Sequence, residues 1–288
     1  MKFSFKTIFA LLAMAFLVAA CRTSDSDEPL NPVNPTAEIE GFLKIKEITN
    51  ATHIIELYSK SGMTHLGYND LKLRIKNKST NQYEKGANVT WTPLMHMATM
   101  AHSCPRSGLQ KSSVDGSVYG GYIVFQMPEN ESEYWDINIE YSIDSVSYTA
   151  TSVLKVPASE KKTVNAFLGN DNIKYIIAYI EPTSPKVATN DLVLGVWKMQ
   201  DMMNYPLVDG LTVKVDPRMP GMGNHSSPNN VAAKQTAAGK LYSGKLSLTM
   251  TGYWKLNLQL LNPDGSVVKG EEVSESNLSS SIFFEIDF

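Results

Sequence analysis

Apolar and polar residues alternate along most of this chain. Leu71-Lys72-Leu73-Arg74-Ile75, Asp136-Ile137-Asn138-Ile139-Glu140-Tyr141 and Lys255-Leu256-Asn257-Leu258-Gln259-Leu260 each set an apolar side chain at every second position. A period of two turns one face of a strand to a core and the other to water, as antiparallel sheets do. Tyr122-Ile123-Val124-Phe125 adds a β-rich run, and Asn262-Pro263-Asp264-Gly265 supplies turn chemistry between strands. No stretch beyond residue 20 sustains a helical period. The pattern predicts an all-β chain of two tandem immunoglobulin-like β-sandwiches, residues 41–158 and 159–288. Their junction falls near Pro157-Ala158-Ser159-Glu160-Lys161-Lys162, a charged stretch between strand patterns.

The two predicted halves repeat one another. One interval separates His102 from His225, Pro105 from Pro228, Tyr119 from Tyr242 and Met127 from Met250. Asn69-Asp70-Leu71 matches Asn190-Asp191-Leu192, Pro93 matches Pro217, and Tyr134-Trp135 matches Tyr253-Trp254 at slightly different intervals. Preserved order with small drifts is what loop insertions do to a duplicated domain. A period of about 120 residues marks a domain duplication rather than a solenoid. Trp135 and Trp254 open strands in homologous places, and their size makes them core anchors.

The repeated segment richest in chemistry is Trp91-Thr92-Pro93-Leu94-Met95-His96-Met97-Ala98-Thr99-Met100-Ala101-His102-Ser103-Cys104-Pro105. It returns as Asp216-Pro217-Arg218-Met219-Pro220-Gly221-Met222-Gly223-Asn224-His225-Ser226-Ser227-Pro228. Proline and glycine break any helix there, so both copies are expected as loops. Thioether and imidazole together form a ligand set that favours copper, Cu(I) above all. The candidate ligands are Met95, His96, Met97, Met100, His102 and Cys104 in the first copy, and Met219, Met222 and His225 in the second.

Residues 95–104 contain no carboxylate, which suits a soft ion better than calcium or magnesium. Zinc on His96, His102 and Cys104 is an alternative, although structural zinc usually takes four ligands in a clear spacing. The favoured set is His102 with two of the three methionines. If the segment is extended, Met95 and Met97 share one side and His96 takes the other. Met199, Met202 and Met203 could add thioethers to the second copy's site.

The chain opens with a targeting pattern. Lys2 and Lys6 precede an apolar run from Ile8 to Ala20, and Val18-Ala19-Ala20-Cys21 places small residues before a cysteine. This reads as a lipoprotein signal peptide, residues 1–20, with Cys21 as the lipidated first residue of the mature chain. Acylation there would hold the protein at a membrane without a transmembrane helix. Residues 21–40 are acidic, polar and proline-rich, and read as a disordered tether. The acidic stretch behind Cys21 resembles the surface-export signal of Bacteroidetes lipoproteins. The expected location is the bacterial cell envelope, on the periplasmic or surface face of the outer membrane. A net charge of −3 argues against nucleic acid. With Cys21 lipidated, Cys104 is left without a disulfide partner.

A strand running into Pro217-Arg218-Met219-Pro220-Gly221-Met222-Gly223-Asn224-His225, with a downstream tyrosine and β-strand, resembles the YtkA-like domain. The first copy departs from that pattern with Met95-His96-Met97 and with the added Met100 and Cys104. The resemblance implies small extracytoplasmic β-sandwiches associated with copper handling and oxidase assembly. No phosphate-binding glycine loop, Gly-x-Ser-x-Gly or His-Glu-x-x-His occurs, so an enzyme is not expected. Two functions compete. One is an envelope lipoprotein that buffers copper or delivers it to another envelope protein. The other is a non-catalytic immunoglobulin-like interaction or adhesion lipoprotein without metal.

Overall fold

The computed structural model describes residues 37–288. The expected signal peptide, Cys21 and all but the last residues of the expected tether lie outside them. Ala37–Ile39 forms a short 3-10 turn that leads into the first strand.

The chain is all-β and antiparallel. Its first half contains β1 (Leu43–Thr49), β2 (His53–Ser59), β3 (Gly67–Asn77), β4 (Asn88–His96), β5 (Ala101–His102), β6 (Gln110–Lys111), β7 (Val118–Phe125), β8 (Tyr134–Ile143) and β9 (Val146–Leu154). The strands make two sheets, ordered β1-β2-β3-β7-β6 and β5-β4-β8-β9. Alternate residues of both sheets, among them Leu71, Leu73, Ile75, Trp91, Trp135, Ile137 and Ile139, meet in one buried core. The period of two read from the sequence therefore points inward as a β-sandwich requires.

The second half contains β10 (Val164–Leu168), β11 (Lys174–Glu181), β12 (Thr189–Lys198), β13 (Thr212–Met219), β14 (His225–Ser226), β15 (Val231–Gln235), β16 (Tyr242–Ser247), β17 (Tyr253–Leu261), β18 (Val267–Lys269) and β19 (Phe283–Asp287). Here β15 pairs with both β13 and β16, so the two layers join along one edge into a continuous hydrogen-bonded sheet. Its core gathers Leu192, Leu194, Val213, Trp254, Leu256, Leu258 and Phe284.

The same rungs recur in both halves. Leu73 faces Tyr119 between β3 and β7, and Leu194 faces Tyr242 between β12 and β16. Pro93 faces Ile137 between β4 and β8, and Pro217 faces Leu256 between β13 and β17. Asn69 donates to the carbonyls of His65 and Gly67 and accepts from the His65 amide. Asn190 does the same with Lys186 and Ala188. Trp135 Nε1 donates to the Met127 carbonyl and Trp254 Nε1 to that of Met250, each at 3.0 Å.

The halves also pack against each other. Tyr68, Tyr122 and Val124 on the outer side of β3 and β7 meet Ile176, Ala178 and Trp197 on β11 and β12 in a third apolar cluster. The indole nitrogen of Trp197 lies 3.3 Å from the Tyr122 hydroxyl. The described residues, 37–288, accordingly fall in one compact unit.

The structure corrects one local expectation. Residues 91–96 and 216–219 are strand, not loop. Proline breaks helices but is tolerated in a strand where its missing N–H faces no partner. The Pro93 carbonyl accepts from Ser103 Oγ at 2.7 Å, on the side away from β8, and β5 pairs only with Met95 and His96. Pro93 therefore costs the ladder no hydrogen bond.

Candidate metal centre

The first Met/His segment is a β-hairpin. Met95 pairs with His102 and His96 with Ala101 across β4 and β5, and the Met97 amide donates to the Met100 carbonyl at 2.9 Å to close the turn. Directly opposed residues share a face of a hairpin, and so do alternate residues along each strand. Met95, Met97, Met100 and His102 thus lie on one face, in two rungs that flank the His96–Ala101 rung. His96 and Ala101 take the other.

Burial grades along that face. Met95 is fully buried in the first core, and Met97 is half-buried against it. Met100, at the turn, is 49% exposed. His102 is 7% exposed, and its ring meets the indole of Trp135 edge-on at 5.8 Å. Its Nδ1 sits 2.7 Å from the Ser103 carbonyl oxygen, which can only accept. In the neutral ring that bond assigns the proton to Nδ1 and leaves Nε2 as the lone-pair nitrogen. Nε2 has no hydrogen-bond partner among the described residues. A ring oriented through one nitrogen with the other free is the usual setting of a metal-binding histidine.

Two candidates fall outside this group. His96 Nε2 lies 2.8 Å from Asp136, and its ring stacks on Tyr134 on the outer face of the sheet. Cys104 is wholly buried, and desolvation pushes its thiol far above the ordinary range despite Arg106 nearby. Cys104 packs into the first core. The zinc set of His96, His102 and Cys104 is thereby split three ways. Among the described residues no three His, Cys, Asp or Glu side chains gather into a metal-binding group.

The second copy keeps one rung only. Met219 faces His225 across β13 and β14, as Met95 faces His102. The segment between them, residues 220–224, is one residue shorter than residues 96–101 of the first copy and contains a 3-10 helix over Pro220–Met222 with Gly223 in the left-handed region. Met222, 55% exposed, rides on that helix instead of closing a second rung. The Met219 methyl packs against Gly252, where a Cβ would come within 3.2 Å of it. His225 is exposed. Of the second copy's candidates, Met219 and His225 share one rung, with Met222 on the 3-10 helix between them.

Met202 and Met203 also land elsewhere than expected. The turn over residues 199–205 abuts the first hairpin, not the second: the Ser103 amide donates to the Met202 carbonyl at 2.8 Å, and Arg106 to that of Met203 at 3.2 Å. Beside it opens a cleft of about 640 Å³ between the halves, lined by Thr90, Thr92, Arg106, Gln200 and Asn204 among others. Packing of one repeat on the other created this neighbourhood, so no local pattern announced it.

No protein-family model matches the chain, and no curated protein matches it. Among solved structures it is similar to one described as FdeC, a broadly conserved Escherichia coli adhesin eliciting protection against urinary tract infections, at 13% identity and a TM-score of 0.26. That alignment covers 77% of this chain and 64% of the adhesin chain. A second, described as pT26-6p, aligns at 8% identity and a TM-score of 0.26 over 79% of this chain and 63% of its own. The chain spans less than two thirds of the length of either.

Proposed function

We propose that the protein is a non-catalytic, lipid-anchored envelope protein that binds a soft metal, copper as Cu(I), on the Met/His face of its first repeat. The observation that carries this reading is the hairpin register, which sets Met97, Met100 and His102 on one face, with Met100 exposed at the turn and His102 Nε2 without a hydrogen-bond partner among the described residues. Two thioethers and one imidazole satisfy Cu(I) without anionic ligands. Met95 lies beneath them as the floor of the site. The metal would gain its ligands from a hairpin already folded, which suits buffering or delivery to another envelope protein. The YtkA-like resemblance and the lipoprotein pattern at Cys21 point the same way.

Anaerobic titration of the full chain against a chromophoric Cu(I) chelator tests the proposal. One equivalent should be withdrawn from the chelator by the parent and none by the M97L/M100L variant. Equal competition by both proteins would defeat it.

A second reading, an interaction or adhesion lipoprotein, draws support from an open strand edge on β9. The two readings involve different surfaces of the first half.

A further inference from the structure

Free strand edges are liabilities that folded proteins usually blunt with charge, bulges, short length or a covering segment. Most edges here follow that rule. β1 carries Lys44, Lys46 and Glu47 and a bulge between Lys44 and Lys46. β5, β6 and β14 have two residues each, and β18 has three. On β10, Asn165 clasps the backbone of Phe283 through its side chain. β19 carries Glu285 and Asp287, and Lys162 is hydrogen-bonded along it.

β9 breaks the rule. Its nine residues, Val146-Ser147-Tyr148-Thr149-Ala150-Thr151-Ser152-Val153-Leu154, include no charge, proline or glycine. It closes the sheet edge beyond β8 and pairs with that strand through every rung without a bulge. The orientation of its backbone follows from two side-chain caps. Asn50 donates to the Thr149 carbonyl and Thr64 to the Lys155 carbonyl, both from the facing sheet's side of the molecule. In an antiparallel strand the N–H and C=O of one residue point the same way, and successive residues alternate. Ser147, Thr149, Thr151 and Val153 therefore direct their backbone groups to the open edge. Apart from those two caps, no hydrogen bond from the described residues reaches it.

We propose that this edge pairs with the β9 of a second copy of the chain, antiparallel about a twofold axis at Ala150. The strand is its own complement in that register. Val146 meets Leu154, Ser147 meets Val153 and Thr149 meets Thr151, so edge-facing residues oppose edge-facing residues over the whole strand. An uncharged strand places no like charges across the axis, and paired threonines are favourable cross-strand neighbours. The exposed side chains of Val146 and Val153 gain cover at the two ends. Such an interface is isologous and closed, which limits growth to a dimer. It uses no residue of the methionine face and stands apart from the metal reading.

Hydrogen exchange on the full chain in detergent tests the pairing directly. Between low and high protein concentration, the amides of Ser147, Thr149, Thr151 and Val153 should gain protection together, while those of Tyr148, Ala150 and Ser152, already bonded to β8, should not change. Sedimentation should show a dimer in the parent and a monomer in the T149K/T151K variant, whose outward side chains leave the core untouched. Odd-numbered amides that exchange freely at every concentration would overturn the proposal, as would a dimer that survives both lysines. The exchange measurement needs only the parent, so it decides the question even if the variant folds poorly.

Discussion

The two Met/His hairpins share a position in the repeat and differ in what they do with it. Both set a methionine opposite a histidine at the end of a long core strand, Met95 with His102 and Met219 with His225. In the first, a tight turn adds a second rung of Met97 and Met100 on the same face, and His102 is held by the Ser103 carbonyl. In the second, the shorter connection forms the Pro220–Met222 3-10 helix instead of a second rung, with Met222 and His225 exposed. Ligand residue types alone do not make a site. The conformation of one turn decides whether a second methionine rung forms.

The comparison can be broken most forcefully at the core. Trp135 and Trp254 occupy equivalent rungs with the same indole hydrogen bond, so Trp135→Ala and Trp254→Ala should each destabilise the protein by about 3–5 kcal/mol. Denaturant unfolding measures both. A loss below about 1 kcal/mol in one half would show that the repeats are not built alike.

The next contrast lies within the first hairpin. Met95 is core and Met100 is rim, so Met95→Ala should cost about 2–5 kcal/mol. M97L/M100L, which conserves volume, should cost less than about 1.5 kcal/mol. Met222→Leu in the second half should stay within about 0.5 kcal/mol of the parent. If Met95→Ala unfolded no more easily than Met222→Leu, the gradient of burial would be wrong.

Cys104 and Ser227 stand at matched positions of the two halves, and both are buried. The native Cys104 thiol should resist alkylation until the protein unfolds, because burial holds it protonated. Rapid labelling of the folded protein would contradict that burial.

The smallest effect concerns pH, and its buried example lies in the first half, which holds the buried charged residues Glu56 and Arg74. Burial opposes ionisation of Glu56, but hydrogen bonds from Tyr58 and Tyr83 and the charge of Lys44 outweigh it and hold the carboxyl below its ordinary value. A carboxyl with a depressed folded value stabilises the protein above its unfolded value and loses that contribution as pH falls through the folded one. Glu56→Gln should therefore flatten the stability profile in the acid range and leave its slope near neutrality unchanged. An unaltered acid limb would remove Glu56 from the account.

Much of this architecture could be read from period and repetition. The alternation in residues 71–75, 136–141 and 255–260 marked β3, β8 and β17 with the correct face inward. The matched prolines, tyrosines and tryptophans of the two halves fall on matched rungs because duplication preserves register. Two things were not legible. Pro93 and Pro217 suggested loops, since the sequence does not say on which side a strand lacks a neighbour. Met202 and Met203 were read as belonging to the second site, whereas packing of the halves carries their backbone to the first. For the candidate site itself, the period of two was enough to part His96 from Met95 and Met97. The burial of Cys104 came only with the core.

The central claim is that copper is held by thioethers and imidazole on the first hairpin and not on the second. X-ray absorption at the copper edge of the full chain, loaded anaerobically with one equivalent of Cu(I), tests it most directly. The account predicts sulfur scatterers together with one imidazole in the parent and in Met222→Leu, and loss of the sulfur shell in M97L/M100L. A spectrum with nitrogen and oxygen alone, or a sulfur shell that disappears with Met222 and survives without Met97 and Met100, would contradict it.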